Sequence, residues 1–295
     1  MSEVLYEVTG RVARLTLNRP ERGNGITRGL LEELESLVER ADLDPAIHVL
    51  LLSGAGSGFC GGYDLVVAAE GQVDAPPGAS VAGSPLDPLV VRENHQPGTV
   101  WDPMVDYAMM SRNVRAFMSL ARCTKPVVCK VHGFCVAGGT DLALCADLLV
   151  VAEDAKLGYP PARVWGSPTT ALWASRLGVQ RAKRLLFTGD SLSGSQAAEW
   201  GLAIEAAPAE ALDQRVDALV ERMARLPLNQ LQMMKLLCNQ WLEAAGVGSA
   251  QVLGTLLDGI ARHTKEGYGF QQLAAREGFR EAVRHRDEPF GDWGR

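Results

Sequence analysis

Two glycine-rich turns, each placed directly after an apolar run, constrain the fold of this chain more than any other feature. Residues 58–65 read Gly-Phe-Cys-Gly-Gly-Tyr-Asp-Leu, and residues 132–141 read His-Gly-Phe-Cys-Val-Ala-Gly-Gly-Thr-Asp. A strand that turns on glycine into a helix leaves the first backbone N–H groups of that helix unpaired and pointing in one direction. Two such turns that face each other can hold one oxyanion between them, as acyl chemistry requires.

Short apolar runs alternate with helical patterns over the first two-thirds of the chain, which predicts an α/β fold. We expect strands at 4–8, 12–17, 49–53, 126–131 and 148–152, and helices that begin at Thr27 and Thr140. Beyond residue 206 the apolar spacing is mainly helical, over 209–226, 228–244, 250–264 and 271–286. The pattern divides the chain into a core at 1–206 that carries the site and a helical region at 207–295.

Residues 68–103, between the two turns, are rich in proline, glycine, alanine and serine and have little periodicity. A long segment of this kind is either a functional lid or a partly disordered loop. Its end at Trp101-Asp102-Pro103 leads into a predicted helix that runs through Leu120. We therefore expect an insertion at 68–103 that folds over the site or orders only on binding.

The composition excludes several classes of function. The formal net charge is −6 and the pI is near 5.5, so the chain lacks the basic surface of a general nucleic-acid-binding protein. No apolar run is long enough to cross a bilayer, and the first residues show no secretory signal pattern, so no membrane association is expected. The six cysteines have no CxxC spacing and lie mostly in apolar stretches, which predicts reduced thiols in a cytoplasmic protein and no metal site.

Four segments in the same order resemble the crotonase, or enoyl-CoA hydratase/isomerase, superfamily. Residues 17–24, Leu-Asn-Arg-Pro-Glu-Arg-Gly-Asn, are similar to the opening motif of that family, and residues 58–65 to its first oxyanion turn. Residues 125–141 resemble its second turn with the active-site helix, and residues 154–160 resemble the segment that follows. Each motif is weak alone because glycine turns are common. The ordered set covers nearly the whole chain.

The resemblance implies a spiral of ββα turns, a helical C-terminal region used for trimerisation, and a homotrimer or dimer of trimers. It also implies an acyl-CoA thioester as substrate, with coenzyme A as part of the substrate and no other cofactor. By position, the backbone N–H groups of Tyr63 and Gly138 would hold the thioester oxygen. The resemblance also implies which residues contact CoA or the acyl group: Arg22, Gly61, Asp64, Leu65, Arg163 and Arg286. A solvated helix face explains Arg286 equally well, and a subunit salt bridge explains Arg163 equally well.

The chain departs from the family pattern at the acid–base residues. Hydratases of the family use two glutamates around a water molecule; Asp141 stands at the first position and Pro161 at the second. Proline cannot exchange a proton, so half of the pair is missing. Asp141 lies in the first turn of a helix, where the helix dipole favours the ionised form, whereas burial favours the neutral form. A helix-capping aspartate without a role in the chemistry is the alternative.

An acid that replaces the second glutamate could come from the insertion or from the helix that follows it. Asp102, Asp106 and Tyr107 are candidates, although Asp102 before a proline is typical of a helix N-cap. We expect His95 to be solvated on a polar loop. His132, beside the second turn, is expected to be a hydrogen-bonded structural histidine.

The sequence leaves the reaction open. A hydratase or isomerase of fatty-acid metabolism, with Asp141 as the main proton-transfer group, is the leading hypothesis and predicts an enoyl-CoA hydratase-like lyase. One carboxylate also suits thioester hydrolysis or retro-Claisen cleavage of a C–C bond. A catalytically silent paralogue that binds acyl-CoA or a protein partner is the alternative of a different class.

Overall fold

A six-stranded, mostly parallel sheet forms the centre of the molecule. The computed structural model describes residues 2–64 and 81–291. The strands are β1 (Val4–Thr9), β2 (Val12–Leu17), β3 (Val49–Gly54), β4 (Val127–Val131), β6 (Leu148–Ala152) and β9 (Glu205–Ala207), in the order β1-β2-β3-β4-β6-β9. Only the β1–β2 hairpin is antiparallel, and it turns at Gly10 with a φ of 60°. The central strands are continuous apolar runs because they are covered on both faces.

A second, smaller sheet lies beside the glycine turns. It consists of β5 (Phe134–Val136), β7 (Lys156–Gly158) and β8 (Ser191–Ser193), with β5 parallel and β8 antiparallel to β7. Each strand has three residues, which is too short for a period of two to be recognised in the sequence. This sheet ties the second glycine turn, which contains β5, to the later strands β7 and β8.

The helices follow the predicted α/β alternation. In the part of the chain that the structure describes they are α1 (Arg28–Leu43), α2 (Pro88–Asn94), α3 (Pro103–Arg122), α4 (Gly138–Ala143), α5 (Trp173–Leu177), α6 (Val179–Thr188), α7 (Gly194–Trp200), α8 (Leu212–Ala224), α9 (Leu228–Ala244), α10 (Val247–Arg262), α11 (Lys265–Glu277) and α12 (Phe279–Asp287). Thr27 caps α1 through its hydroxyl, which accepts from the Leu30 N–H at 3.0 Å, as predicted. The α/β class and the helical C-terminal region are confirmed.

The last predicted helix, 271–286, is two helices. Gly278 separates α11 from α12 and has a φ of 91°, a conformation that a helix interior does not contain. The two helices contact each other through the rings of Phe270 and Phe279, whose centroids are 6.2 Å apart in an edge-on arrangement. The apolar spacing continues across the break because each helix has a buried apolar residue, Phe270 in α11 and Ala282 in α12, and this hid the turn from the sequence pattern.

Part of the proline-rich insertion is folded. Helix α2 occupies the middle of the segment that was expected to lack regular structure, and residues 81–102 pack onto α3 and α10. The Asp87 carboxylate caps α2 by accepting from the Leu89 N–H at 2.9 Å. The expectation of a structureless loop is therefore wrong for 81–103. Residues 65–80, which include Leu65 and the first part of the proposed lid, lie outside the described residues.

The hydrophobic core is continuous across the boundary that the sequence placed after residue 206. Leu212, Val216 and Val220 of α8 are buried in the same cluster as the strands of the central sheet. Helices beyond residue 206 therefore complete the core rather than form a separate one. The division at 206–207 remains a prediction about which part carries the site.

Gly133 provides a sharp test of how the second turn is built. It has a φ of 59°, and a Cβ at this position would overlap the carbonyl oxygen of Ser57. Gly10 has nearly the same φ but open space around it. Gly133→Ala should therefore destabilise the protein by at least about 2 kcal/mol more than Gly10→Ala in urea unfolding, because it adds overpacking to the same backbone strain. Equal losses for the two variants would contradict this account.

Candidate active site

The two glycine turns are joined by backbone hydrogen bonds. Cys60 and Cys135 form a parallel bridge, in which the Cys60 N–H donates to the Phe134 carbonyl at 3.1 Å and the Val136 N–H donates to the Cys60 carbonyl at 3.0 Å. A Cβ on Gly139 would overlap the Cys60 carbonyl oxygen, so only glycine permits this approach. The turns are therefore one rigid unit.

Two backbone N–H groups remain unpaired where the turns meet. Tyr63 forms a bridge to Ile26 in which Gly62 accepts and Asp64 donates, at 2.8 and 3.0 Å, so the N–H of Tyr63 points away from Ile26. Gly138 is the first residue of α4, where the N–H has no partner within the helix. Within the described residues, neither N–H donates to a protein acceptor.

The backbone around these N–H groups is crowded and strained. A Cβ on Gly62, which has a φ of 98°, would stand 3.2 Å from the nitrogen of Gly138. A Cβ on Gly138 would lie 3.0 Å from the ring of Tyr63. Ala137, between the turn and α4, has a φ of 53° and a ψ of −128°, which is costly for a residue with a side chain. Strain of this kind is typical of a functional turn held in place by its surroundings.

Asp141 lies one turn into α4, only 1% exposed. Its carboxylate accepts from the N–H and hydroxyl of Thr169 at 3.3 and 3.4 Å, and from those of Thr170 at 3.3 and 2.8 Å. Burial raises the pKa of Asp141 to about 7, although these donors favour the ionised form. Burial therefore outweighs these donors, and the group can give or take a proton near neutral pH.

The segment that holds Asp141 is itself held by the C-terminal region. Helix α10 approaches it through Gly254, where a Cβ would stand 2.7 Å from the Pro168 carbonyl oxygen and 3.3 Å from that of Thr169. Glycine in the middle of a helix costs stability, and here it permits contact between two backbones. Helix α10 therefore supports the threonines that bind Asp141.

A second buried carboxylate, Asp258, belongs to α10 and was not identified from the sequence. It is 7% exposed, and Nη2 of Arg262 lies 3.2 Å from its Oδ2. The negative charge of Asp258 contributes to raising the pKa values of Asp141, Tyr63 and Tyr159. The available signal was an aspartate between Gly254 and Gly259 of one predicted helix, but it did not indicate which element the helix packs against.

Pro161 stands in a short 3₁₀ helix, Pro160–Arg163. A Cβ on Gly166 would overlap the Cβ of Pro161, so the chain folds back on itself at this point. No titratable group of this helix replaces the missing acid, since Arg163 is its only ionisable residue.

Arg163 and Arg286 have a shared partner within the chain. The buried side chain of Arg163 lies 3.0 Å from Asp287 and 4.3 Å from the ring of Phe290, and Arg286 lies 2.8 Å from the same aspartate. These pairs hold the end of α12 against the 3₁₀ helix. The geometry supports an intramolecular role for both arginines and gives no support to the predicted substrate contacts. The nearby Trp165 ring lies 6.1 Å from that of Phe270.

The predicted CoA-binding residues of the first turn form a compact charged group. Asp64 lies 2.9 Å from Arg19 and 3.5 Å from Arg22, whose side chain is 39% exposed. The Gly61 N–H donates to the carbonyl of Gly23 at 2.9 Å, which fixes the turn against this group. Asp64 therefore orients the two arginines, and Arg22 is the more exposed of them.

Asp106, one of the candidate replacement acids, is the centre of a buried cluster. Its carboxylate lies 3.1 Å from His95, 3.1 Å from Arg262 and 3.6 Å from His263, and it accepts from Nε1 of Trp101 at 2.5 Å. The expectation that His95 is solvated is wrong, because α2 folds onto α3. The two histidines and Asp106 could ligate a metal, but the Arg262 guanidinium already occupies the position of a cation between them.

The other polar candidates have structural roles. Asp102 caps α3, its carboxylate accepting from the Met104 N–H at 2.8 Å, as predicted. Tyr107 is half-buried on α3. His132 contacts the Gly56 carbonyl through Nε2 at 2.9 Å, which confirms a structural histidine beside the second turn.

None of the helices in the described ranges is long and apolar enough to span a bilayer.

Comparison with known proteins agrees with this geometry. The family model "Enoyl-CoA hydratase/isomerase" matches residues 7–82 and 102–273. The chain is 30% identical over 293 residues to 1,2-epoxyphenylacetyl-CoA isomerase of Escherichia coli strain K12, covering 96% of this chain and 94% of the relative. It is 27% identical over 263 residues to 2,3-dehydroadipyl-CoA hydratase of the same organism, covering 87% and 91%.

A solved structure extends the match to three dimensions. The crystal structure of an enoyl-CoA hydratase from Mycobacterium smegmatis superposes with a TM-score of 0.92 at 57% identity, covering 99% of this chain and 95% of that one. The predicted spiral fold is thereby confirmed. On its sequence, its fold and its paired glycine turns, the chain belongs to the enoyl-CoA hydratase/isomerase, or crotonase, family.

Proposed function

We propose that the protein is an acyl-CoA enzyme of the hydratase/isomerase type whose backbone oxyanion hole stabilises a thioester enolate. The observation that carries this proposal is the pair of unpaired N–H groups at Tyr63 and Gly138, with the Asp141 carboxyl one helical turn away. An oxyanion between two fixed donors requires no reorganisation when the charge forms, and each such donor contributes about 2.7–4 kcal/mol in acyl chemistry.

Asp141 is proposed to transfer the proton. The negative charge of the enolate resides on the thioester oxygen, so a proton can leave or reach the adjacent carbon at a lower barrier. A carboxyl with a pKa of about 7 is present in both protonation states at neutral pH and serves in either direction. Hydration of an enoyl thioester, the lyase reaction of fatty-acid metabolism, adds the oxygen of water at Cβ and a proton at Cα. A shift of the double bond adds no water; it removes a proton at one carbon and returns it at another through the same type of enolate.

Coenzyme A is proposed to bind at the first turn. Its phosphates require cations at the mouth of the pocket, and the half-exposed Arg22 stands beside the turn with its guanidinium held near Asp64. No cofactor beyond the CoA of the substrate is needed for these steps. The cysteines among the described residues are unpaired, and five of them are buried, which supports the cytoplasm as the site of action.

Asp141→Asn tests the proposed chemistry. It keeps the shape of the side chain and removes the proton-transfer group, so turnover of crotonyl-CoA and of longer enoyl-CoAs should fall by about 100-fold or more. Asp154→Asn, on the surface, is the matched control and should leave turnover unchanged. Full hydratase and isomerase activity in Asp141→Asn would refute the proposed role.

A catalytically silent acyl-CoA-binding protein is the second candidate. The observation in its favour is that all four hydrogen bonds to Asp141 come from Thr169 and Thr170, which leaves the carboxyl well satisfied inside the protein. Calorimetry with butyryl-CoA distinguishes the two. Tight binding without turnover of any enoyl, 3-oxoacyl or saturated thioester supports this candidate and opposes the enzyme.

We infer that the protein assembles as a homotrimer or dimer of trimers through its C-terminal helices. An apolar stripe on α9 leaves Met233, Leu237 and Trp241 half or more exposed, and Leu253 and Leu257 continue it on α10. Contiguous exposed apolar surface of this kind is typical of a protein interface.

The oligomer can be tested by charging this stripe. Leu237→Lys combined with Leu257→Lys should reduce the mass in light scattering from a multiple of 31.7 kDa to that of one chain. A lysine in an apolar interface is desolvated without a partner, which is strongly unfavourable. Leu43→Lys, at an exposed leucine on α1, is the control. An unchanged mass in the double variant would contradict the proposed interface.

A further inference from the structure

Helix α10 carries a buried face that is unusually polar for the interior of a protein. The buried residues of this helix are Val247, Gln251, Gly254, Thr255, Asp258 and Gly259. An apolar face would be sufficient to close the core, and burial of a carboxylate is strongly unfavourable unless it is compensated. The presence of Asp258 on this face therefore calls for a function.

The position of Asp258 follows from the two glycines around it. Gly254 brings α10 against the backbone of Pro168 and Thr169, the segment that binds Asp141. Gly259 brings the next turn against α3, where a Cβ would stand 3.1 Å from Cβ of Asp106. Asp258 lies one helical turn after Gly254 on the same buried face. It is therefore directed into the space between α3 and the segment that holds Asp141.

Groups from three other elements surround the same space. Tyr63 comes from the first glycine turn, Tyr159 from the segment after β7, and Asp141 from α4. The charge of Asp258 raises the pKa of each of them, which requires that all three lie near its carboxylate. A Cβ on Gly138 would lie 3.0 Å from the ring of Tyr63, so this ring connects the space to the first residue of α4.

The surroundings of Asp141 and Asp258 separate their protonation states. Burial raises the pKa of both, but Arg262 at 3.2 Å favours the ionised form of Asp258 and no cation is among the causes that act on Asp141. The remaining charged neighbours of Asp258 act in opposite directions: Asp106 raises the pKa of Asp258, and His95 lowers it. The negative charge of Asp258 raises the pKa of Asp141 in turn, which favours the protonated form of Asp141. One carboxyl of a pair held protonated and the other ionised is the arrangement of an acid and a base.

We propose that Asp258 is the second proton-transfer residue of the active site and replaces the carboxylate that Pro161 cannot provide. The inference rests on the proposed acyl-CoA activity and adds a residue to it. In hydration, the oxygen of water bonds to Cβ while its proton passes to the Asp258 carboxylate, and the π electrons of the Cα–Cβ bond move onto the thioester carbonyl. The enolate then collapses as Cα takes the proton of Asp141, and exchange with water restores both groups.

Asp258→Asn is the decisive variant, and Asp106→Asn is its matched control because both carboxylates pair with Arg262. We expect Asp258→Asn to lower kcat on crotonyl-CoA by about 100-fold or more, with the affinity for butyryl-CoA and the thermal stability close to wild type. Asp106→Asn should keep most of the activity. Asp258→Glu, which retains a carboxylate, should recover part of the rate.

The pH profile separates proton transfer from a structural role. Wild-type kcat should be bell-shaped, falling at high pH as Asp141 loses its proton and at low pH as Asp258 gains one. In Asp258→Asn the residual rate should lose its acidic limb, and its alkaline limb should move to lower pH because the charge that raised the pKa of Asp141 is gone. Asp106→Asn should keep the alkaline limb at the wild-type position.

The outcomes are distinct. If wild type is active and Asp258→Asn matches it in rate and pH profile, the inference about Asp258 is refuted and the proposed acyl-CoA activity stands. If Asp258→Asn and Asp106→Asn lose stability and activity equally, with an unchanged pH profile, Asp258 only holds Arg262 and the inference is again refuted. If wild type turns over no thioester but binds butyryl-CoA, the proposed function fails and the inference fails with it.

Discussion

The contact between the two glycine turns is the constraint on which the rest of the structure depends. Gly62, Gly138 and Gly139 have no room for a side chain, because each meets backbone or side-chain atoms of the opposite turn. The strained Ala137 is held between them. Two strands of the central sheet lead into the turns, and the backbone bridge between Cys60 and Cys135 fixes their separation. Stability gained in the apolar core thereby maintains a local conformation that would not persist in an isolated peptide.

The C-terminal helices complete the site rather than merely cover it. Through Gly254, helix α10 braces the Thr169–Thr170 backbone that binds Asp141, and through Asp258 it brings a second carboxylate to the same space. Arg262 connects this space to Asp106, and Asp106 in turn holds Trp101 and His95 of the insertion. The insertion, α3 and α10 are thus linked by one chain of buried charges, and Asp258 is the member of that chain that acts on the pKa of Asp141.

Much of the fold was predictable because its signals are local. The glycine turns, the N-caps at Thr27 and Asp102 and the strand–helix alternation each occupy a few consecutive residues. The environment of Asp141 was not predictable, since its partners stand at 169–170 and the carboxylate beside it at 258. Burial decides its protonation, and burial is a property of the packed chain. Arg163 illustrates the same limit, because its partner Asp287 is 124 residues away.

The central claim is that the N–H groups of Tyr63 and Gly138 hold the thioester oxygen. Isotope-edited infrared spectroscopy of bound butyryl-CoA, labelled with ¹³C at the carbonyl, tests it without any turnover. Two donors in a site shielded from water weaken the C=O bond. The account predicts a carbonyl stretch at lower frequency than in aqueous solution, in wild type and in Asp141→Asn alike. A frequency equal to or above that in water would contradict it.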